Sequence, residues 1–488
     1  MSKGVIIMEH LNKEVALKLG LTKPEAADRP IKVIQFGEGG FLRAFVDWTF
    51  QKLNEKGLFN GNVAVVQPLA KGRVDDLRAQ DNLYTVVLKG ILDGKTVQSE
   101  TLVDSIGKTV KVYDEWDRYL ALADDPATQI IISNTTEAGI AIDDADTVQM
   151  TPPNGYPAKL AHLLKRRFDK GLPGFLIVPC ELIADNGKAL HDALIEVSHR
   201  FGFGDDFIKW IDSDNTFVST LVDRIVPGFP AAEADQLWKD INYQDDLLDK
   251  AEPFYSWVIA GDKAAQAKVD ELIPAKKLGI NLITTDDVQP YRERKVYLLN
   301  CQHTSLAQIA RLEGISTVGD AMNDETMRSF VLGEMNEEVI PVLTLPADEL
   351  KTFASQVIER FANPFNEHRL DSIGLNSVSK YSVRILPIVK RNVEQRGSLP
   401  KRLVLALAAL LYTYGGFADG KVNIDDSPEV QELCLKLAKN DSYVHDALAS
   451  AELWGEDLTA IAGLEDLVKQ DFEAIGKDGI ASLVQGLA

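Results

Sequence analysis

The stretch IKVIQFGEGGFLRAF, residues 31–45, predicts the fold of the first half of this 488-residue chain. Its first six residues form a short apolar run typical of a buried strand, and its last five begin an amphipathic helical pattern. The turn GEGG, residues 37–40, separates them. A glycine-rich turn from a strand into a helix presents backbone N–H groups at the helix N-terminus, where the pyrophosphate of a dinucleotide binds.

The composition of this turn predicts how a nucleotide would be held. Gly37 allows the tight turn and Gly39 lets the backbone approach phosphate. The third glycine of the G-x-G-x-x-G pattern is replaced by Leu42, so a plain glycine-rich turn is the alternative. Arg43 would face either the pyrophosphate or solvent. The predicted cofactor-binding residues of this segment are Gly37, Glu38, Gly39, Gly40, Phe41 and Arg43.

Further strand and helix patterns alternate up to about residue 180. Apolar strand runs at 63–68, 128–136 and 174–181 alternate with helical patterns at 112–125 and 156–171, and a hairpin with the turn Asp93-Gly94 is inserted at 83–103. Apolar strands alternating with helices indicate a mostly parallel sheet covered on both faces. The predicted fold class is therefore α/β, an N-terminal Rossmann-type doubly wound sheet with an inserted hairpin.

The residues that follow the strand at 128–136 are also candidates for the cofactor site, because that strand is expected to end near the nicotinamide. They would either contact the cofactor or cap the next turn. These residues are Asn134, Thr135, Thr136 and Glu137.

Helical patterns dominate after about residue 290. They cover 291–311, 323–340, 346–361, 400–414, 428–450 and 456–472. The segment TTDDVQPY, residues 284–291, marks the change. We predict a dinucleotide-binding domain over 1–288 and an all-helical substrate and catalytic domain over 289–488. The apolar run 403–414 is shorter than the 18 or so residues of a membrane span, so it predicts a buried helix.

The bulk composition excludes some partners. A net charge of -21 argues against nucleic acid and anionic membranes, since phosphates need a basic face. An anionic substrate would need a locally basic pocket. Three separated cysteines suit a reducing cytoplasm. No metal is expected, because the sequence has neither H-x-x-x-H nor C-x-x-C. The sequence makes no prediction about the oligomeric state.

The stretch KVYLLNCQHTSL, residues 295–306, carries the candidate catalytic groups. On an α-helix, Lys295, Asn300 and His303 fall within an arc of about 140°. A lysine can deliver a proton to a ketone oxygen as hydride reaches the carbon, and an asparagine amide can polarise that oxygen. A histidine can orient substrate hydroxyls. The alternative is a helix with one extended surface lysine and two core polar residues.

Several motifs together resemble one family. K-x4-N-x2-H after DDVQPY, FVSTLVDRIVP (217–227), SNTTEAG (133–139), PCELIADNG (179–187) and RFANP (360–364) resemble the polyol-specific long-chain dehydrogenases, the family of mannitol dehydrogenase. The resemblance extends from Ile31 to about Leu467.

The resemblance implies a metal-independent hydride transfer between a nicotinamide and a secondary alcohol. In that reading Lys295 is the general acid/base, Asn300 and Asn186 hold the carbonyl oxygen, and His303 binds substrate. The expected cofactor is NAD. NADP stays open because the second strand ends near Gln67 without an acidic residue, and Lys71 and Arg73 follow it.

The substrate is expected to be a small anionic sugar acid. Arg292 stands where the polyol branch usually has an acidic residue, with Arg294 as an alternative. Lys380 and Arg384 share a helix face at i,i+4, where an anion would relieve their repulsion. The resemblance implies reversible reduction of D-tagaturonate to D-altronate. Reduction of D-fructuronate, oxidation of a neutral hexitol and a non-catalytic nucleotide sensor are the alternatives.

Overall fold

The computed structural model describes residues 8–135, 138–365 and 367–488. The predicted site residues Thr136 and Glu137 lie outside the described residues. The chain divides into two units. The first comprises the residues up to Lys89 together with Thr96–Val288, and the second comprises Gly90–Lys95 and Gln289–Ala488.

The described strands all begin in the first 285 residues. They are β1 Ile31–Phe36, β2 Asn62–Gln67, β3 Tyr84–Leu92, β4 Lys95–Val103, β5 Ile106–Lys111, β6 Ile130–Ser133, β7 Leu176–Pro179, β8 Thr216–Phe217, β9 Ser219–Asp223, β10 Asp249–Ala251, β11 Ser256–Ala260 and β12 Leu282–Thr285. The α-helices of the first unit are α1 Lys13–Lys18, α2 Gly40–Leu42, α3 Trp48–Glu55, α4 Val74–Ala79, α5 Trp116–Leu120, α6 Tyr156–Asp169, α7 Asn186–Arg200, α8 Asp205–Asp214, α9 Ala234–Ile241 and α10 Lys263–Leu272.

The α-helices of the second unit follow one another with short connections. They are α11 Gln289–Lys295, α12 Cys301–Leu312, α13 Val318–Asn323, α14 Glu325–Gly333, α15 Ala347–Phe361, α16 Leu370–Ile373, α17 Ser377–Arg384, α18 Leu386–Arg396, α19 Lys401–Tyr414, α20 Pro428–Leu437, α21 Tyr443–Leu448, α22 Ala451–Trp454, α23 Leu464–Asp478 and α24 Ile480–Leu487. Three π-helical turns continue or join helices, at Arg43–Asp47, Val296–Asn300 and Glu334–Val339.

The main sheet is parallel and has the strand order β5-β2-β1-β6-β7-β8. Strand β2 lies on one side of β1 and strand β6 lies on the other, so the direction of the strand order reverses at β1. This reversal creates a crevice at the carboxyl ends of β1 and β6, which is where ligands bind in open α/β sheets. The GEGG turn follows β1 and Asn134 follows β6, so both predicted cofactor segments lie at the reversal.

Alternate residues of the central strands enter two separate cores. Val33 of β1 and Ile132 of β6 pack on one face, whereas Ile34 and Ile131 pack on the other. All four are 0% exposed. A sheet buried on both faces confirms the predicted α/β class. The edge strand β5 was not anticipated from the sequence.

The inserted hairpin is confirmed as β3 and β4. Asp93 and Gly94 have φ values of 50° and 71°, the left-handed pair that a two-residue hairpin turn requires. Their N–H groups donate to the carboxylate of Glu359 at 3.0 and 2.7 Å. Residues 90–95 accordingly group with the second unit, which the sequence-based division at 288/289 did not include. The assignment of a separate role to each predicted domain stays a prediction.

The second unit is helical, as expected. The apolar run 403–414 lies in the buried helix α19. Within the described ranges, no helix combines the length and apolarity needed to cross a bilayer. The pattern at 428–450 forms two helices, α20 and α21, because Asn440, Asp441 and Ser442 favour a turn.

Candidate functional site

The GEGG turn requires glycine at its first position. Gly37 has φ +116°, and a Cβ there would lie 3.0 Å from Leu42 Cδ1 and 3.3 Å from the carbonyl oxygen of Asn134. Gly39 differs, because its φ is −68° and a Cβ would meet no atom within 4 Å. The backbone at Gly39 is therefore open on one side. This opening fits a pyrophosphate approaching the N-terminus of the helix that begins at Gly40.

An ionic cluster is buried beneath this turn. Arg43, at the start of a π-helical turn, is 2% exposed. Its Nη1 donates to the Leu247 carbonyl at 2.6 Å and its Nη2 lies 3.5 Å from Asp249 Oδ2. Arg43 therefore does not face solvent, which was the alternative to its contact with the pyrophosphate. Its predicted contact with pyrophosphate would require the guanidinium to leave these partners.

Two buried carboxyl groups belong to the same cluster. Asp47 accepts hydrogen bonds from Gln35 Nε2 at 3.2 Å and from the Tyr84 hydroxyl at 3.0 Å. Burial raises the pKa of Asp47 from 3.8 to about 7, and burial likewise raises the pKa of Asp249 to about 7 despite the nearby Arg43. The region under the turn therefore changes charge near neutral pH.

The segment after β6 is fixed by a glutamate that sequence reasoning missed. Glu181 is 2% exposed and accepts hydrogen bonds from the N–H and Oγ1 of Thr135, both at 3.0 Å, and from Ser133 Oγ at 3.1 Å. The Asn134 N–H donates to the Phe36 carbonyl at 3.1 Å. The sequence signal for this role was an acidic residue two positions after the end of the buried strand β7, because a buried carboxylate needs hydrogen-bond partners.

Asn186 is the first residue of α7 and is 1% exposed. Its Nδ2 lies 3.0 to 3.3 Å from four oxygens, those of the Pro179, Glu181 and Thr220 carbonyls and the Thr220 hydroxyl. Its Oδ1 accepts the Thr220 N–H at 2.8 Å. All of these partners belong to the protein, and the two hydrogens of the amide cannot satisfy four acceptors at once. The role of Asn186 in holding the substrate carbonyl oxygen stays a prediction.

In the second unit, a π-helical turn changes the register of the predicted catalytic residues. Val296–Asn300 is π-helical, and the Cys301 N–H donates to the Val296 carbonyl five residues earlier. The sequence-based arc assumed a regular α-helix. In a π-turn the backbone N–H bonds to the carbonyl five positions earlier, so the angle between Lys295 and Asn300 differs from that of a regular α-helix. Both side chains are half-buried.

His303 lies on the following helix turn and is 8% exposed. Its ring stacks on Phe361 with centroids 4.2 Å apart, and meets His368 edge-on at 4.7 Å. Burial lowers the pKa of His368. Two aromatic contacts therefore fix the plane of the His303 ring. Phe361 belongs to the RFANP motif, but its contact with His303 was not predicted.

The two cations of α17 lie beside this helix. Arg384 Nη1 donates to Thr304 Oγ1 at 3.3 Å, and Thr304 Oγ1 donates to the Asn300 carbonyl at 2.9 Å. Lys380 Nζ donates to the Ile373 carbonyl at 2.8 Å. Burial, followed by the charge of Arg384, lowers the pKa of Lys380. Neither cation pairs with a carboxylate in the part of the chain that the structure describes.

The arginines of the PYRERK segment are placed differently. Arg294 is buried, donates to Glu349 at 2.7 Å and lies over the rings of Tyr291 and Phe353. Its charge is therefore already compensated. Arg292 is half-buried, and among residues 8–135, 138–365 and 367–488 no carboxylate lies within ion-pair distance of it. Of the two, Arg292 is the better candidate for an anionic substrate.

Metal centres and reactive thiols are two further types of catalytic centre. No group of three or more His, Cys, Asp or Glu side chains suited to a metal ion occurs among the described residues. The thiols of Cys180, Cys301 and Cys434 are buried. Burial raises the pKa of Cys301 well above its ordinary value, so that thiol is not a nucleophile.

A Rossmann-type unit with a glycine turn, followed by a helical unit, is typical of dinucleotide-dependent oxidoreductases, and the family models support this class. Residues 31–294 match the Mannitol dehydrogenase Rossmann domain, and residues 287–476 match the Mannitol dehydrogenase C-terminal domain. The chain belongs to the mannitol dehydrogenase family.

Relatives agree over nearly the whole length. A protein of Bacteroides thetaiotaomicron named altronate oxidoreductase is 42% identical over 98% of this chain and 100% of its own. One of Yersinia enterocolitica with the same name is 41% identical over 93% and 96%.

Solved structures share the fold. A substrate-free D-sorbitol dehydrogenase has a TM-score of 0.82 at 23% identity, covering 97% of this chain and 100% of that one. Pseudomonas fluorescens mannitol 2-dehydrogenase, solved with NAD and D-mannitol, has a TM-score of 0.69 at 23% identity, covering 98% and 99%.

Proposed function

We propose that this protein reduces D-tagaturonate to D-altronate, reversibly, with NADH as the hydride donor. Relatives 41–42% identical over nearly the whole chain carry the name altronate oxidoreductase, which supports a sugar-acid substrate. The structural observation that carries the proposal is a pair of cations, Lys380 and Arg384, without a carboxylate partner among the described residues. Arg384 donates to Thr304, whose hydroxyl donates to the backbone carbonyl of Asn300.

The chain's own residues divide the chemistry between them. A bound nicotinamide cofactor supplies the hydride that adds to the keto carbon. Lys295 donates a proton to the oxygen that becomes the alkoxide, and in the reverse direction it accepts that proton. Asn300 donates an amide hydrogen bond to the same oxygen, which stabilises negative charge in the transition state. Asn186 adds a second donor when one of its shared hydrogens is redirected.

The remaining groups bind the sugar acid. The His303 ring, held in plane by Phe361 and His368, orients a substrate hydroxyl. Arg384 and Lys380 hold the carboxylate with charge-assisted hydrogen bonds, and Arg292 adds a third positive charge. Their local charge offsets the molecule's net charge of -21, which would otherwise repel an anionic substrate. A cytoplasmic location stays a prediction from the cysteine usage.

A substrate panel tests the proposal. We expect kcat/KM with NADH to be highest for D-tagaturonate, lower for D-fructuronate, and lowest for fructose, which lacks a carboxylate. Arg384→Ala should raise KM for the uronate about 10- to 100-fold, because a hydrogen bond to a charged group is worth about 1.5–3 kcal/mol. Arg328→Ala, which removes an exposed arginine of α14, is the matched control.

Three outcomes would contradict the proposal. Fructose turnover equal to uronate turnover would indicate a neutral hexitol dehydrogenase. Preference for D-fructuronate would identify that epimer as the substrate and would leave the proposed carboxylate pocket unaffected. Nucleotide binding without turnover of any of the three would indicate a sensor.

A further inference from the structure

The segment that follows β2 lacks the acidic residue that normally selects NAD. In Rossmann domains that residue accepts hydrogen bonds from the adenosine ribose. Here β2 ends at Gln67, whose Nε2 donates to the Leu69 carbonyl at 3.0 Å and whose Oε1 accepts the Val74 N–H at 3.2 Å. The Gln67 side chain is therefore occupied by hydrogen bonds within the loop that follows β2.

The basic residues of the same loop do not supply a clear phosphate site either. Lys71 and Arg73 are exposed. Arg73 Nε donates to Asp76 Oδ2 at 2.9 Å, so its guanidinium already has an anionic partner. A 2′-phosphate would have to compete with Asp76 for it.

A carboxylate reaches this loop from the glycine turn. Glu38 Oε1 accepts the N–H of Arg73 at 3.3 Å. A Cβ added to Gly72 would lie only 2.0 Å from the same oxygen. A side chain at residue 72 would therefore require the Glu38 carboxylate to move, and also the Gln67 side chain, whose Cδ would lie 2.6 Å from the added Cβ. The glycine turn and the loop after β2 therefore meet at the Glu38 carboxylate, although residues 38 and 72 are 34 positions apart in the chain.

We propose that Glu38 replaces the missing acidic residue of β2 and selects the cofactor that carries a free ribose 2′-hydroxyl. The inference rests on the nicotinamide cofactor of the proposed function and names the residue that determines its type. The 2′-hydroxyl of NAD(H) donates a hydrogen bond to the carboxylate. A 2′-phosphate carries about −1.5 to −2 charges and meets the carboxylate with like charge.

The surroundings of Glu38 strengthen this discrimination. Its side chain is half-buried, and like charges repel more strongly where water is partly excluded. Burial raises the pKa of Glu38, while the hydrogen bond from Arg73 and the charge of Arg43 act in the opposite direction. The Arg73 N–H thus orients the carboxylate and favours its ionised form.

Cofactor binding in the absence of any sugar tests the inference. We would measure Kd for NADH and NADPH by quenching of tryptophan fluorescence. Wild type should bind NADH more tightly. Glu38→Gln keeps the shape of the side chain and removes its charge. It should therefore weaken NADH binding, strengthen NADPH binding, and lower the preference for NADH about 10-fold or more. Asp75→Asn, a charge removal on the neighbouring helix α4, should leave the preference within twofold.

A second variant keeps the test independent of any damage from changing Glu38. Gly72→Ala leaves the carboxylate in the protein but displaces it from the loop, and should lower the preference in the same direction. An unchanged ratio in both variants, or an equal loss of affinity for both cofactors, would overturn the inference. Tighter binding of NADPH by wild type would also overturn it.

The outcome is separable from that of the substrate proposal. A protein that prefers NADH through Glu38 but turns over no hexuronate would refute the substrate and leave the inference standing.

Discussion

Lys295 and Asn300 are separated by five positions, which is the hydrogen-bond period of a π-helical turn and not of an α-helix. The sequence predicted both residues and one face, but it assumed regular α-helical geometry. The π-turn changes the angle between these two residues, and His303 makes a separate aromatic contact with Phe361. The catalytic roles of these residues stay predictions. Their register was not predictable, because the π-turn has no reliable local signature.

The central residue-scale prediction concerns Lys295. Lys295→Met keeps the side chain's bulk and removes its proton, so kcat should fall about 10²- to 10⁴-fold, the usual contribution of general acid–base catalysis. The Kd for NADH should change less than twofold. Single-turnover kinetics and fluorescence titration measure the two quantities. Lys351→Met, at an exposed position of α15, is the control. Turnover retained in the Lys295 variant would remove this amine from the mechanism.

At the scale of elements, the strand–turn–helix β1–GEGG–α2 combines two glycines with different functions. Gly37 maintains the fold, since its φ of +116° is unfavourable for other residues and a Cβ would be in tight contact with Leu42 and the Asn134 carbonyl. Gly39 has ordinary φ and open space. The sequence predicted the turn and the conformational role of Gly37, and the role of Gly39 stays a prediction. The buried cluster of Arg43, Asp47 and Asp249 below the turn depends on β10, more than 200 positions further along the chain.

Two alanine substitutions separate these functions. Gly37→Ala should destabilise the protein by about 1–3 kcal/mol, the cost of a strained backbone conformation. Gly39→Ala should leave stability unchanged or slightly higher, yet weaken NADH binding about 10-fold, because a methyl group would occupy the path of the pyrophosphate. Thermal melting and NADH titration of both variants measure this. Unchanged affinity in Gly39→Ala would place the pyrophosphate elsewhere.

At the scale of the whole molecule, the buried carboxyl groups link stability to pH. The pKa of Asp47 is raised from 3.8 to about 7 by burial, so the native state binds more protons than the unfolded state between these values. Stability contributed by this group is present below about pH 4 and is lost as pH rises through about 7. A shift of this size corresponds to about 4 kcal/mol.

A variant comparison isolates this effect from other titrating groups. Asp47→Asn cannot ionise, so its Tm relative to wild type should rise as pH increases from 5 to 8. Asp235→Asn, at an exposed site, should show a constant difference. Melting curves at four pH values measure both. A Tm difference that is constant or falls with pH for Asp47→Asn would show that Asp47 is ionised throughout this range.

The sequence by itself determined the parallel α/β class, the hairpin turn and the helical second half. These features follow from local spacing, since strand and helix periods and turn residues act between near neighbours in the chain. Only the tertiary structure decided that Arg43 is buried, that Arg294 is neutralised by Glu349 while Arg292 is not, and that Glu38 reaches Gly72. These depend on contacts between distant segments, whose packing selects which side chain of each element meets which partner.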